Sequence, residues 1–314
     1  MKKLLAICAI SITLLAVAAC GISEKNHQRN EYRSKRSKKT VTVTTSFLYD
    51  MVKHLAGENV HLKLIIPAGE DPHLYVAKSE DLRKIQSADL VLYHGLHFEG
   101  KMQDALKGKG YAVSKTFNLE KIGSMEEGGK RVQDPHFWFD IDLYKEATSN
   151  AASALIKTMP EKKAQIEKNR DAYLKTLTAL DRENKSKLAQ IPKSQRYLIT
   201  PHDAFNYFSR RYAILVRAPQ GVSTDSEVAN KDIEDTADFI VAHRIKAIFA
   251  ESTTDPARME KLREACRAKG FNVKVVKSEG EQLFSDSLAP RGQAGDTYVS
   301  MYRHNVDLIV RYLK

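Results

Sequence analysis

Residues 161–190 contain neither Pro nor Gly, are rich in Lys, Glu, Ala, Leu and Gln, and are flanked by Pro160 and Pro192. Within them Ile166, Tyr173, Leu177, Leu180 and Leu188 recur at sums of three and four, the spacing of one helical face. An uninterrupted helix over these 30 residues would be ~45 Å long, more than one ordinary lobe can cover. The segment therefore predicts a stiff spine along two lobes. A Gly/Ser linker would have allowed wide hinge motion, and none is present here.

Both sides of the spine read as alternating strands and helices. Val41-Thr42-Val43-Thr44-Thr45 is a β-branched run, followed by helical spacing over Phe47–Leu55. Apolar strands follow at 62–66 and 89–93, with a helical pattern around Ser79–Ile85 between them. After the spine the pattern resumes at 197–200, 247–250 and 273–276, separated by helices near 203–211, 231–243 and 256–268. The fold class is thus α/β: two lobes with mainly parallel sheets joined by one long rigid helix. The expected domains are an N-terminal lobe at 40–158, a spanning helix at 159–192 and a C-terminal lobe at 193–314, which suits 314 residues at ~100–200 per domain.

The first residues carry an address. Met1-Lys2-Lys3 is a short positive region and Leu4–Val17 is apolar apart from Ser11 and Thr13, the length of a signal-peptide core and short of the ~20 residues a spanning helix needs. It ends in Val17-Ala18-Ala19-Cys20-Gly21, which resembles a bacterial lipobox. The resemblance implies a signal peptide at 1–19 and a lipid on Cys20, which would tether the chain outside the cytoplasmic membrane. Residues 20–39 are then a polar, basic tether with too little apolar surface to fold. With Cys8 removed and Cys20 lipidated, Cys266 is left alone, a small side chain in a helical segment.

Lys and Arg outnumber Asp and Glu by 50 to 39, a net +11 that by itself invites a polyanion partner. Residues 1–39 hold nine basic and two acidic residues, so +7 of the excess lies there and +4 is left for 40–314. The folded body gives little reason to expect nucleic acid.

Chemistry is concentrated in a few histidines. Asp71-Pro72-His73 and Asp134-Pro135-His136 repeat one triplet 63 residues apart, and Pro201-His202-Asp203 follows a strand. Proline fixes its own φ and restricts its neighbour, so each imidazole is presented from a stiff loop, and the adjacent carboxylate is expected to orient a ring nitrogen. Asp286, in Leu283-Phe284-Ser285-Asp286, follows the strand ending at Val276. Three of these four residues follow strands, and two fall in each lobe. Open α/β sheets gather ligands at strand carboxyl ends, so the set implies one metal ion in the interlobe cleft, held by three neutral imidazoles and one carboxylate. His94 and His97, three apart in Tyr93-His94-Gly95-Leu96-His97, are read as surface or packing residues. His27, His54, His61, His243 and His304 have no obvious companion ligand.

The same motifs carry a resemblance. Asp71–Tyr75, Tyr93–Glu99, Asp134–Asp140, His202–Phe208, Gln220–Thr224, Leu283–Asp286, Thr297-Tyr298 and His304-Asn305, in this order, resemble the motif series of the zinc/manganese/iron solute-binding proteins of bacterial ABC importers. The resemblance covers about 41–314. It implies that His73, His136, His202 and Asp286 are metal ligands, and that the chain is no enzyme. It also implies capture of one divalent cargo ion for a membrane permease driven by a separate ATPase, by a monomeric lipoprotein at the periplasm or cell surface. Two positions depart from the pattern: Asn206 and Ala213, where glycine is common or usual.

Three imidazoles and a carboxylate suit zinc at four-coordination, while a bidentate carboxylate raises the coordination number and admits manganese or iron. The stretch Leu119–Gln133 has Glu120, Glu126 and Glu127 but no histidine, unlike the His-rich loop of dedicated zinc scavengers in that family, so the three metals stand level. Two readings compete with import: a zinc-dependent hydrolase of the cell envelope, with Asp203, Glu251 or Glu70 as base, and a surface adhesin lipoprotein. No His-Glu-x-x-His or nucleophile elbow supports the hydrolase.

Overall fold

The computed structural model describes residues 38–127, 130–225 and 227–314, so the signal peptide, Cys20 and nearly all of the tether lie outside the described residues. Thr40–Lys314 forms one unit.

The chain opens with β1 (Lys39–Val43), α1 (Ser46–Ala56) and β2 (Val60–Leu64). Thr45 caps α1, its Oγ1 accepting from Leu48 N at 3.4 Å. Next come α2 (Ser79–Gln86), β3 (Leu90–Tyr93), α3 (Gln103–Leu106), β4 (Gly110–Ala112) and a hairpin of β5 (Ser124–Glu127) and β6 (Lys130–Gln133). The first sheet has the order β2-β1-β3-β4, with β1 parallel to β3 and β3 parallel to β4, Val41 standing opposite Leu90 and Val91 opposite Gly110. Order 2-1-3 places a topological switch point beside β1, and β2 and β3 both end there.

The spine is present. α4 (Ile141–Thr158) is followed by a single 3₁₀ turn beginning at Pro160, and then α5 (Lys163–Leu188) runs 26 residues, ~39 Å. Ile166, Tyr173, Leu177, Leu180 and Leu188 are all buried on it. Beyond it come β7 (Tyr197–Ile199), α6 (Asn206–Tyr212), β8 (Leu215–Arg217), α7 (Asn230–Ala242), β9 (Ala247–Phe249), α8 (Ala257–Ala268), β10 (Lys274–Val276) and α9 (Tyr298–Leu313). β7 pairs with β8 and β9 with β10, both parallel. The fold is therefore α/β with parallel sheets on either side of a long helix. None of the described helices is long and apolar enough to cross a membrane.

The spine is not the sole connection. One continuous apolar core runs from Phe47 and Leu48 of α1 through Trp138 and Phe139 to Leu177, Phe205, Tyr298 and Tyr302. Tyr144 of α4 stacks on Tyr298 of α9 with centroids 3.7 Å apart, and Phe139 stacks on Phe205 at 4.4 Å; such pairs add ~0.5–1.5 kcal/mol each beyond area burial. Two hydroxyls buried in this core bond across it, Tyr298 OH donating to Trp138 O at 2.6 Å and Tyr302 OH to Phe139 O at 2.7 Å. Arg211 of α6 adds an ionic tie, forking onto Asp181 of α5 at 2.6 and 2.8 Å while its third nitrogen reaches Asp140, the cap of α4, at 2.9 Å.

Candidate metal centre

Each loop that presents a site residue is fixed by local chemistry. Beyond β2 the backbone stays on the sheet, Ile65 N and Ile66 N donating to Val43 O and Thr44 O. The chain then turns through Pro67 and Pro72, and Asp71 Oδ1 accepts from His73 N at 2.9 Å. In the second triplet Asp134 Oδ1 accepts from both His136 N (2.9 Å) and His136 Nδ1 (2.8 Å) before the 3₁₀ turn Phe137–Phe139. His202 leaves β7 paired to Gln220 in an isolated parallel bridge, and its carbonyl accepts from Thr200 Oγ1 at 3.0 Å. Asp286 is reached through a second bridge, Leu283 against Glu251 at the end of β9; Ser285 O then accepts from Trp138 Nε1 at 2.9 Å.

These four loops bring His73, His136, His202 and Asp286 together, with one donor atom from each lying within 4.8 Å of all the others. His73 Nε2 lies 3.4 Å from His136 Nε2; Asp286 Oδ1 lies 3.3 Å from His136 Nε2 and Oδ2 lies 3.1 Å from His202 Nε2. His136 and His202 are fully buried, Asp286 is 1% exposed and His73 is 4% exposed. His202 Nε2 and both Asp286 oxygens are buried without a hydrogen-bond partner, a costly state unless something else satisfies them. A tetrahedral ion with nitrogens at ~2.0–2.1 Å holds them ~3.3–3.4 Å apart, which is the His73–His136 separation. The donor set fits a divalent transition metal, and both carboxylate oxygens are turned into it.

The outer partners complete the site. His136 Nδ1 is held by Asp134 and His202 Nδ1 by Glu251 Oε2 at 2.5 Å, so each imidazole aims Nε2 inward. The Asp-Pro-His repeat is thus not symmetric in use. Asp134 orients its ring as expected, but Asp71 serves the backbone of His73, and its other oxygen accepts from Thr224 Oγ1 at 2.6 Å. Glu251, which the sequence offers only as a hydrolytic base, is a ring-orienting partner; its place at a strand carboxyl end is the one signal available. The sequence marks Asn206 only as a departure from glycine, whereas its Nδ2 donates to Asp134 Oδ2 at 3.1 Å. Ala213 does take the left-handed conformation, φ +53°. His94 is a packing residue, buried between Phe98 and Trp138 with Nε2 2.8 Å from Thr45 Oγ1, while His97 is exposed.

Charge follows geometry. Burial alone would lower the His136 pKa, but Asp134 and Asp286 outweigh it and hold it up at about 9. His202, buried likewise, is held well above the usual imidazole range by Glu251 and Asp286. His73 has no carboxylate on its outer nitrogen, and burial pushes it down to about 3. Against its own burial, Asp286 is held well below the usual carboxylate range by His202 and His136. Burial raises the Cys266 thiol to about 11, which leaves it inert.

Parallel sheets, a long spine and a buried three-histidine, one-aspartate cluster between strand ends define a metal-binding solute-receptor class. Residues 41–312 match the family model of the zinc-uptake complex component A, periplasmic, and the chain belongs to that family. Its members are solute-binding proteins of ABC importers and not enzymes, which supports the importer reading over the hydrolase. The manganese-binding lipoprotein MntA of Bacillus subtilis is 34% identical over 311 residues, 98% of each chain. The zinc-binding protein TroA of Treponema pallidum is 39% identical over 88% of this chain and 89% of its own; its solved structure aligns with TM-score 0.83, covering 88% and 99%. A TroA structure from work on metal-binding specificity aligns with TM-score 0.88 at 59% identity, covering 88% of this chain and all of that one. The chain is thus an extracytoplasmic substrate-binding component of an ABC metal importer.

Proposed function

We propose that His73, His136, His202 and Asp286 bind one divalent ion of manganese, zinc or iron as cargo and release it to a membrane permease driven by a separate ATPase. The observation that carries this is the convergence of four buried residues on one point, with His202 Nε2 and both Asp286 oxygens left without hydrogen-bond partners there. Both Asp286 oxygens enter the cluster, so a bidentate carboxylate makes the ion five-coordinate, an arrangement open to manganese and iron as well as zinc. Cys20 carries the lipid, residues 20–39 form the tether, and a monomer works alone on the membrane's outer side. The domain limits 40–158, 159–192 and 193–314 are part of this reading.

Calorimetric titration of the metal-stripped protein with Mn²⁺, Zn²⁺ or Fe²⁺ is expected to give one ion per chain. His202→Ala is expected to weaken binding by more than the ~10–100-fold that losing an outer partner costs. Absence of tight binding, or binding indifferent to His202→Ala, would overturn the assignment.

A further inference from the structure

A buried site needs a way in. Of the four cluster residues only His73 borders a cavity of about 370 Å³, which it shares with His97, Lys101, Pro135, Ser223 and Asp225. His73 is also the most exposed of the four, at 4%. The neighbouring cavity of about 580 Å³ again borders His97 but none of the cluster.

The loop that carries His97 is strained and pressed onto His73. Gly95, Leu96 and His97 follow one another at φ +83°, +55° and +64°. A left-handed residue with a Cβ costs ~1–2 kcal/mol, and such conformations persist only where the surroundings impose them. Here they are imposed: a Cβ on Gly100 would lie 2.5 Å from His73 O, and the Phe98 ring meets the His73 ring edge-on at 5.0 Å. The strained turn leaves the His97 imidazole exposed at the cavity beside His73.

Of the residues that line the cavity, Lys101 pairs with Asp225 at 3.1 Å, with side chains 46% and 55% exposed. A pair so exposed is worth ~0–1 kcal/mol, little enough for an arriving dication to exchange with the ammonium. Beside it, the Thr224–Asp71 hydrogen bond ties the same loop to the His73 loop.

We propose that this cavity is the path by which the ion reaches and leaves His73, with the His97 imidazole as a transient ligand on the way and the Lys101–Asp225 pair as its gate. This rests on the cluster being the ion's resting site. A transient ligand lowers the barrier in both directions and leaves the end states alone, so it changes rates and not affinity.

The test is stopped-flow binding of Mn²⁺ to the metal-stripped protein, with chelator-driven release as the reverse reaction. The emission of Trp138, whose ring centroid lies 5.2 Å from that of His136, reports both. His97→Asn keeps a residue that tolerates left-handed φ while removing the imidazole. It is expected to slow association and release together by ~5-fold or more, with their ratio within about twofold of wild type. Lys101→Met, which frees Asp225, is expected to speed both. Wild-type rates in His97→Asn, or a change in affinity carried by release alone, would overturn the path. Failure of the wild type to bind Mn²⁺, Zn²⁺ or Fe²⁺, or normal binding by His73→Ala, would overturn the resting site itself.

Discussion

Lowering the pH from 7.5 to 6.5 is expected to weaken metal binding by about 100-fold, because two protons compete for one ion. A metal takes neutral imidazole, so each histidine protonated in the metal-free protein must lose its proton on binding. His136 titrates at about 9 and His202 well above the usual range, so both are protonated throughout that interval, whereas His73, at about 3, is not. Asp286 is already ionised. Two protons per ion make the association constant change by two powers of ten per pH unit, about 2.7 kcal/mol. Titrations in buffers of differing ionisation enthalpy read the proton count directly, and about two released per ion are expected near neutrality. The metal-free fold responds in the opposite sense. A pKa raised in the folded state contributes stability that is complete below ~6.5 and lost as pH rises through about 9. The melting temperature of the stripped protein should therefore fall over that window while affinity climbs. An affinity that does not change between pH 6.5 and 7.5, or fewer than one proton released, would refute the charge assignment. Three protons would mean that His73 is ionised as well.

Two further outcomes rest on single contacts. Glu251→Gln keeps the shape beside His202 but removes the carboxylate that fixes its tautomer; affinity is expected to drop ~10–100-fold, about 1.4–2.7 kcal/mol, with an unchanged circular dichroism spectrum, and wild-type affinity would deny Glu251 its orienting part. Ala213→Gly relieves a left-handed alanine in an exposed position. The relief of ~1–2 kcal/mol exceeds the ~0.5–1 kcal/mol of added chain entropy, so the denaturation midpoint should rise, and a fall would show that the conformation carries no strain.

The four cluster residues were legible because each follows a local signal: a proline-stiffened triplet or a strand end. The strands at 41–45, 62–66, 89–93, 197–200, 247–250 and 273–276 were legible as β-branched or aliphatic runs, and each overlaps an observed strand. β4 and β8 were not, because three residues at the edge of a sheet, as in Gly110-Tyr111-Ala112, give no periodic pattern. The partners that orient the rings depend on register. Glu251 meets His202 only because β7 and β9 lie side by side, 49 residues apart in the chain, and no spacing rule reaches that far. Asp71 and Asp134 share a triplet, and in each Oδ1 accepts from the histidine backbone N–H while Oδ2 takes an outside donor, Thr224 Oγ1 or Asn206 Nδ2, yet only Asp134 Oδ1 also holds a ring nitrogen. Identical local sequence thus acquires different chemistry from its neighbours.

The partners also settle why this pocket suits a dication. Asp134, Asp286 and Glu251 place three carboxyl groups in a space closed to water, and charge held there needs compensation where it lies. In the metal-free protein the protons on His136 and His202 supply two positive charges beside them. When a divalent ion displaces both protons it supplies the same two charges, and the net charge of the site is unchanged. Exchange of two protons for one ion therefore takes place at constant charge, so the interior meets no new electrostatic cost on loading or on release. A monovalent ion displacing both protons would leave the site one unit more negative and a trivalent ion one unit more positive, so only a dication leaves its net charge unchanged. Outer carboxylates that aim the imidazoles also set the valence that the site exchanges without penalty, and the two-proton count is how that balance is read in solution.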